Sequence, residues 1–172
     1  IFTAGPASLV DTNLSNLKPC FGRGDKEYLR TEDKVLTKIK KIAGGFKNIS
    51  RFQGSGSLAI EIMVANFLFG KVLIIDTGYY AQRLYAISNQ HKKLFGHIKK
   101  VDKINWRDIN FFEKKYDWIF ACSTETSCGL KIPIRSLSRL AKKCKSKLML
   151  DATGSIGLEN EHELADVISF SS

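Results

Sequence analysis

The pattern of apolar and polar positions along the chain alternates between segments typical of helices and segments typical of buried strands. Apolar residues recur at helical spacing over residues 27–43, and the apolar segment 58–68 is long enough to favour a buried helix over a strand. Further helices are predicted at residues 80–90, 108–116 and 134–143. Short apolar runs predict strands at residues 49–53, 71–76, within 94–101, and at 118–122, 147–151 and 167–170. Strands that alternate with helices predict an α/β domain with a mainly parallel sheet.

Four loops that follow predicted strands are rich in glycine, hydroxyl or acidic residues. They are Gly54–Ser57, Asp76–Tyr80, Ser123–Gly129 and Asp151–Ser155. In an open parallel sheet, ligands bind at the carboxyl ends of the strands, so these loops are candidate binding elements. The Gly-Ser turn suits a phosphate because it exposes N–H groups at the positive end of a helix, although such turns are also ordinary connectors. The carboxylate of Asp151 suits a protonated ring nitrogen, although an Asp at this place is also a common cap of a turn or helix.

The same region also allows a dinucleotide site. Gly54, Gly56 and Ala59 fit the GxGxxA pattern after a predicted strand, and Asp76 ends the next strand about 20 residues later. A Rossmann-like NAD-binding oxidoreductase domain is therefore one alternative. Against it, the first strand is short and contains charged and amide side chains, and the later loops stay unexplained.

The net charge of the chain is +10, from 27 Lys and Arg against 17 Asp and Glu. A non-catalytic basic domain that binds nucleic acid is a second alternative. The lysines are scattered and lack interleaved aromatic residues, so a solvated surface is favoured and no nucleic-acid partner is expected.

The longest apolar runs are far shorter than the roughly 20 residues of a membrane span, so no membrane partner is expected. The four cysteines show no metal-ligand spacing, which predicts reduced cytoplasmic thiols and no metal; they are Cys20, Cys122, Cys128 and Cys144.

Five sequence blocks, taken in order, match a known family. They are Thr3–Pro6, Gly54–Ser57 with Glu61, Thr77–Arg83, Glu125–Gly129 and Asp151–Gly157. In this order and spacing the chain resembles the class V pyridoxal-phosphate (PLP) aminotransferases, the group of alanine–glyoxylate, serine–pyruvate and 2-aminoethylphosphonate–pyruvate transaminases. The resemblance covers nearly the whole chain. It implies the large domain of a fold-type-I enzyme, a three-layer α/β sandwich with a mainly parallel sheet, at residues 27–172 after an N-terminal segment at residues 1–26.

The resemblance also implies an activity and a cofactor. PLP would carry an amino group from an amino donor to a 2-oxo acid or aldehyde. Ser55, Gly56 and Ser57 would bind the cofactor phosphate at a helix N-terminus.

Four further residues would contact the cofactor ring by the same resemblance. Tyr80 would stack on one face of the ring, and Thr153 would pack against the opposite face. Thr126 would hydrogen-bond near the phenolic oxygen. Asp151, the expected catalytic residue, would pair with the pyridine nitrogen and keep it protonated.

The family's Schiff-base lysine follows the strand predicted here at residues 167–170. The sequence ends at Ser172, so the large domain is expected to be incomplete at its C-terminal end and to lack this lysine. Residues 1–172 alone are therefore expected to be inactive in transamination. Members of the family place the active site at a dimer interface, which implies a homodimer, and a cytoplasmic location is expected.

Overall fold

A computed structural model describes residues 10–15, 22, 24–46 and 48–171. The chain divides into two compact units, Ile1–Lys38 and Ile39–Ser172. In the first part of the chain, the described residues include the helices α1 (Asp11–Ser15) and α2 (Lys26–Ile42), and α2 confirms the helix predicted at residues 27–43. The domain boundary predicted after residue 26 stays a prediction. The block Thr3–Pro6 and Cys20 lie outside the described residues.

The second unit is built on a parallel sheet. In chain order the strands are β1 (Gly70–Asp76), β2 (Ile98–Asn105), β3 (Trp118–Cys122), β4 (Thr124–Glu125), β5 (Leu130–Lys131), β6 (Lys147–Asp151) and β7 (Val167–Ser169). Five of them form one sheet in the order β2-β1-β3-β6-β7, and every pairing in it is parallel. The other two, β4 and β5, pair antiparallel. This sheet confirms the predicted fold class.

Helices cover both faces of the sheet. They are α3 (Gly56–Phe67), α4 (Tyr79–Phe95) and α5 (Ile134–Cys144). On one face, α3 and α4 pack on a cluster that includes Phe120 and Met149. On the other face, Leu137 of α5 packs with Ile119 and Leu148. Successive strand residues therefore face opposite layers, and the central strands are apolar throughout because both of their faces are buried.

The direction of the chain reverses next to β1. From β1 the chain passes through α4 to β2 on one side, and it then returns to β3 on the other side of β1. At such a reversal the loops leave in opposite directions and open a crevice at the carboxyl ends of the two strands. The loops Asp76–Tyr80 and Ser123–Gly129 lie at the carboxyl ends of these two strands, as the sequence predicted.

Three predicted elements differ from the observed ones. Residues 49–53 form no strand, because no other described strand pairs with them, and the Phe52 side chain is 58% exposed. The segment 94–101 is divided between two elements, since α4 continues to Phe95 and β2 begins at Ile98. Residues 108–116 form only the end of a short 3-10 helix (Trp106–Phe111), which buries Ile109 alone. In the described part of the chain, no helix has both the length and the apolar composition to cross a membrane.

Candidate functional site

Three buried polar side chains lie next to one another where the central strands end. Cys122 of β3 is in register with Asp151 of β6, and Asp151 is in register with Ser169 of β7. Met149, two residues before Asp151, belongs to the core on the α3 and α4 side, so strand alternation turns Asp151 to the same side. Burial raises the pKa of the Cys122 thiol, and the nearby Asp151 and Glu125 carboxylates raise it further. A protonated thiol therefore borders a site of negative charge.

Asp151 is buried, with 4% of the residue exposed. It accepts a hydrogen bond from the Thr153 backbone N–H at 3.0 Å, and no cationic side chain is paired with it among the residues that the structure describes. The buried hydroxyls of Ser123 and Ser169, at the ends of β3 and β7, also have no hydrogen-bond partner within the described chain. Buried polar groups are usually paired, so this edge of the sheet has the donors and acceptors that a polar ligand would satisfy.

The N-terminus of α3 carries the predicted phosphate-binding residues. Ser55 is the N-cap, and its hydroxyl accepts a hydrogen bond from the Leu58 N–H at 3.4 Å. The Ser57 hydroxyl accepts a hydrogen bond from the guanidinium of Arg83, which reaches it from α4. The helix N-terminus and this guanidinium together create a positive potential at the first turn of α3.

Gly56 brings this turn close to the carboxyl edge of the sheet. A β-carbon at residue 56 would lie 2.8 Å from the Ser171 Oγ and 3.6 Å from the Thr153 Oγ1. Only glycine allows this approach without a shift of the neighbours. The turn at the start of α3 and the loop after β6 are therefore in contact.

Tyr80 lies in the first turn of α4. Its side chain is half-buried and packs against the core on the α3 and α4 side. The ring of Tyr79 meets it edge-on, with 5.5 Å between centroids and 83° between planes, and Tyr79 itself is 65% exposed. Tyr80, the predicted stacking aromatic, is therefore held by packing against the core and Tyr79 at the start of the helix that follows β1.

The loops after β3 and β6 touch each other. A β-carbon at Gly154 would lie 2.9 Å from the Thr124 carbonyl oxygen and 3.0 Å from the Thr126 Cγ2. Thr126 is exposed, as is Thr153 in the facing loop. The seven residues predicted for the site thus lie at or beside the carboxyl edge, and all four loops predicted to bind a ligand meet there.

Two residues of this region were not predicted to have a role. Glu125 is fully buried and receives hydrogen bonds from two loops, and Arg83 contacts Ser57. Both belong to sequence blocks that were recognised. A lone Glu in a loop of small uncharged residues after an apolar strand is the signal that could have identified Glu125, because such a charge needs partners to be buried.

The geometry does not support the dinucleotide alternative. The fingerprint requires a strand directly before Gly54, and residues 49–53 form none. The carboxylate of Asp76 is paired with the Lys103 ammonium at 3.1 Å, at the end of β1. Among the described residues, no three His, Cys, Asp or Glu side chains are grouped as ligands of a metal ion.

Comparison with known proteins identifies relatives. No family model matches the sequence. The chain is 27% identical over 150 residues to an uncharacterized aminotransferase of Methanocaldococcus jannaschii, and this match covers 81% of this chain and 38% of the relative. It is 25% identical over 167 residues to a 2-aminoethylphosphonate–pyruvate transaminase of Syntrophobacter fumaroxidans, with 91% of this chain and 45% of the relative covered. The chain thus spans less than half the length of these relatives.

The fold has solved counterparts. The structure of pyridoxamine–pyruvate aminotransferase from Mesorhizobium loti superposes with a TM-score of 0.82 at 19% identity, over 98% of this chain and 46% of that one. This likeness shows the fold-type-I architecture. The alternatives, an NAD-binding domain and a basic binding domain, are not favoured by these matches. The sequence relatives and the fold support the resemblance of this chain to the class V aminotransferases.

Proposed function

We propose that the chain supplies the cofactor-binding part of a PLP-dependent aminotransferase that moves an amino group from an amino donor to a 2-oxo acid or aldehyde. The observation that carries the proposal is the Asp151 carboxylate, buried at a strand end and without a cationic partner in the described chain. An isolated buried charge is costly, and a cationic ligand group offsets that cost. A protonated pyridine ring is such a group.

The proposed ligand also matches the other end of the site. The first turn of α3 offers backbone N–H groups, two hydroxyls and a nearby guanidinium, which is the donor set that a phosphate needs. In the proposal, Ser55, Gly56 and Ser57 bind the phosphate. Arg83 holds the Ser57 hydroxyl and contributes positive charge.

Between these two ends, the proposal gives each remaining residue one task. Tyr80 covers one face of the ring and Thr153 the other, so that water is excluded from both faces. Thr126 hydrogen-bonds near the phenolic oxygen. Asp151 would keep a proton on the ring nitrogen, and PLP, when bound, would supply an electron sink for the α-carbon of the substrate.

The cellular context is part of the same proposal. The active whole protein is a homodimer in the cytoplasm, as the family resemblance implies. Gel filtration with light scattering tests the dimer, and a tagged protein in fractionated cells tests the location.

Cofactor binding tests the proposal directly. The whole protein is titrated with PLP and followed by absorbance in the visible region and by quenching of its Trp fluorescence. Pyridoxal, which lacks the phosphate, is the matched control and should bind far more weakly. Addition of amino donors to the loaded protein should then shift the absorbance as the cofactor accepts the amino group. Saturable binding of NAD without binding of PLP would overturn the proposal.

A further inference from the structure

The Glu125 carboxylate accepts five hydrogen bonds within the described chain. It follows β3 directly, is fully buried, and accepts hydrogen bonds from partners that lie 44 to 48 positions earlier in the sequence. These partners are the Thr77 hydroxyl at 3.2 Å and the backbone N–H groups of Tyr80 at 3.3 Å and Ala81 at 3.2 Å. The Ser127 N–H, at 3.3 Å, and the Ser127 hydroxyl donate to it as well.

These contacts cap α4 from a distant part of the chain. The N-cap residue of α4 is Gly78, which has no side chain to accept the first N–H groups of the helix. The Tyr79 N–H instead donates to the Ser127 hydroxyl at 3.3 Å, and the next two N–H groups donate to Glu125. A carboxylate is favoured at this place because the helix N-terminus carries a partial positive charge.

Gly78 makes the approach possible. Its φ is +154°, and a β-carbon there would lie 2.9 Å from the Glu125 Cγ. No Lys, Arg or His is paired with Glu125 among the described residues, so its charge is balanced by N–H and O–H donors alone. The geometry of the two loops therefore depends on this one side chain.

We propose that Glu125 is a positioning residue that sets the ring of Tyr80 and the side chain of Thr126 against the cofactor. This inference rests on the proposed function. Tyr80 is placed because its own backbone N–H is bound at 3.3 Å, and Thr126 is placed because the residues on both sides of it, Glu125 and Ser127, are bound to each other. Two groups that would contact different parts of one ring are thereby fixed relative to each other. Glu125 itself need not touch the ligand.

The test compares Glu125→Gln with a control variant that makes the same acid-to-amide change at a carboxylate outside the site. The amide of Gln has one accepting oxygen in place of two, so donors of the first turn of α4 lose their partner. The control is Asp102→Asn, because Asp102 in β2 accepts hydrogen bonds from Tyr116 at 2.6 Å and Lys100 at 2.7 Å and contacts none of the site loops. Both variants of the whole protein are measured for thermal midpoint, PLP affinity and the circular dichroism of bound PLP, which reports how the ring is held.

Glu125→Gln is expected to weaken PLP binding by about tenfold or more, the usual consequence of leaving a buried donor unpaired, and to change the dichroism of the bound cofactor. Asp102→Asn is expected to lower the thermal midpoint without either effect. In a Tyr80→Leu background the effect of Glu125→Gln on PLP affinity should shrink to a fraction, because two residues that act through one contact are not additive. Ser127→Ala, which leaves the backbone donors in place, should shift PLP affinity and dichroism in the same direction by a smaller amount. It replaces Glu125→Gln in the test if that variant does not fold.

Two negative outcomes are distinguishable. If the wild-type protein binds PLP and Glu125→Gln, or Ser127→Ala in its place, binds it with unchanged affinity and dichroism, Glu125 is only structural and the inference is overturned while the proposed function stands. If the wild-type protein does not bind PLP at all, both fail together.

Discussion

Replacement of Asp151 by Asn removes one buried negative charge and leaves the shape of the side chain almost unchanged. The Asn side-chain oxygen can still accept the hydrogen bond from the Thr153 N–H, which measures 3.0 Å in the wild-type protein. The fold should therefore persist. The only large change is the electrostatic potential at the carboxyl end of β6.

The size of the effect follows from the burial of this group, which is 4% exposed. Opposite unit charges about 4 Å apart attract by about 4 kcal/mol at an effective dielectric constant near 20. Loss of that pairing should lower the pKa of the bound ring nitrogen by about three units. If the protonated ring is needed in the rate-limiting step, turnover should fall by roughly 10³-fold.

The stability of the cofactor-free protein should change in the opposite direction. A buried charge without a partner costs free energy, so the neutral Asn should leave the thermal midpoint unchanged or raise it. Addition of PLP should then stabilise Asp151→Asn less than it stabilises the wild type.

Single-turnover kinetics of the loaded whole protein with an amino donor measures the rate, and a pH titration of the absorbance of bound PLP measures the ring pKa. The matched control is Asp76→Asn, because Asp76 also ends a strand of the sheet but is paired with Lys103. A rate for Asp151→Asn within about threefold of wild type, in place of the expected loss of roughly 10³-fold, would refute the reasoning. An equal loss in Asp76→Asn would refute it too.

The remaining predictions concern the phosphate site and the acid stability of the fold. Gly56→Val should weaken PLP binding by about tenfold or more, because its β-carbon would lie 2.8 Å from the Ser171 Oγ; fluorescence titration measures this, with the exposed Ala65→Val in the same helix as the control. Arg83→Leu should weaken PLP binding by about tenfold, because it removes the charged donor to Ser57, and Arg83→Lys should weaken it less, because the positive charge remains. PLP affinity is measured by competition with inorganic phosphate, and equal losses in the two variants would contradict this role of the charge. Burial lowers the pKa of His162 below its ordinary value of 6.5, so the folded state binds fewer protons than the unfolded state in mildly acidic solution. The stability that His162 contributes is therefore complete above about pH 6.5 and is lost as the pH falls below it; thermal midpoints from pH 7.5 to 5 should decline in the wild type and decline less in His162→Asn.

The amino-acid sequence by itself determined the fold class and most elements of the second unit. The strands β1, β3 and β6 were predictable because a strand covered by helices on both faces must be apolar throughout, and that pattern is local. The helix α5 was predictable for a different local reason, since Leu137, Leu140 and Ala141 recur at helical spacing and all three are buried. Because the loops that carry polar residues each follow a predicted strand, they then indicated the edge of the sheet at which a site would lie.

Only the tertiary structure decided which groups are partners. Residues 49–53 have strand-like composition but no neighbouring strand, and a strand exists only when a partner from elsewhere in the chain supplies its hydrogen bonds. Likewise, Glu125 is separated from Thr77 by 48 positions, so no local pattern shows that it caps α4. The register that sets Asp151 between Cys122 and Ser169 is also a property of the assembled sheet. Periodicity records which side of an element is buried, whereas hydrogen bonds and charge pairs form between residues that only folding brings together.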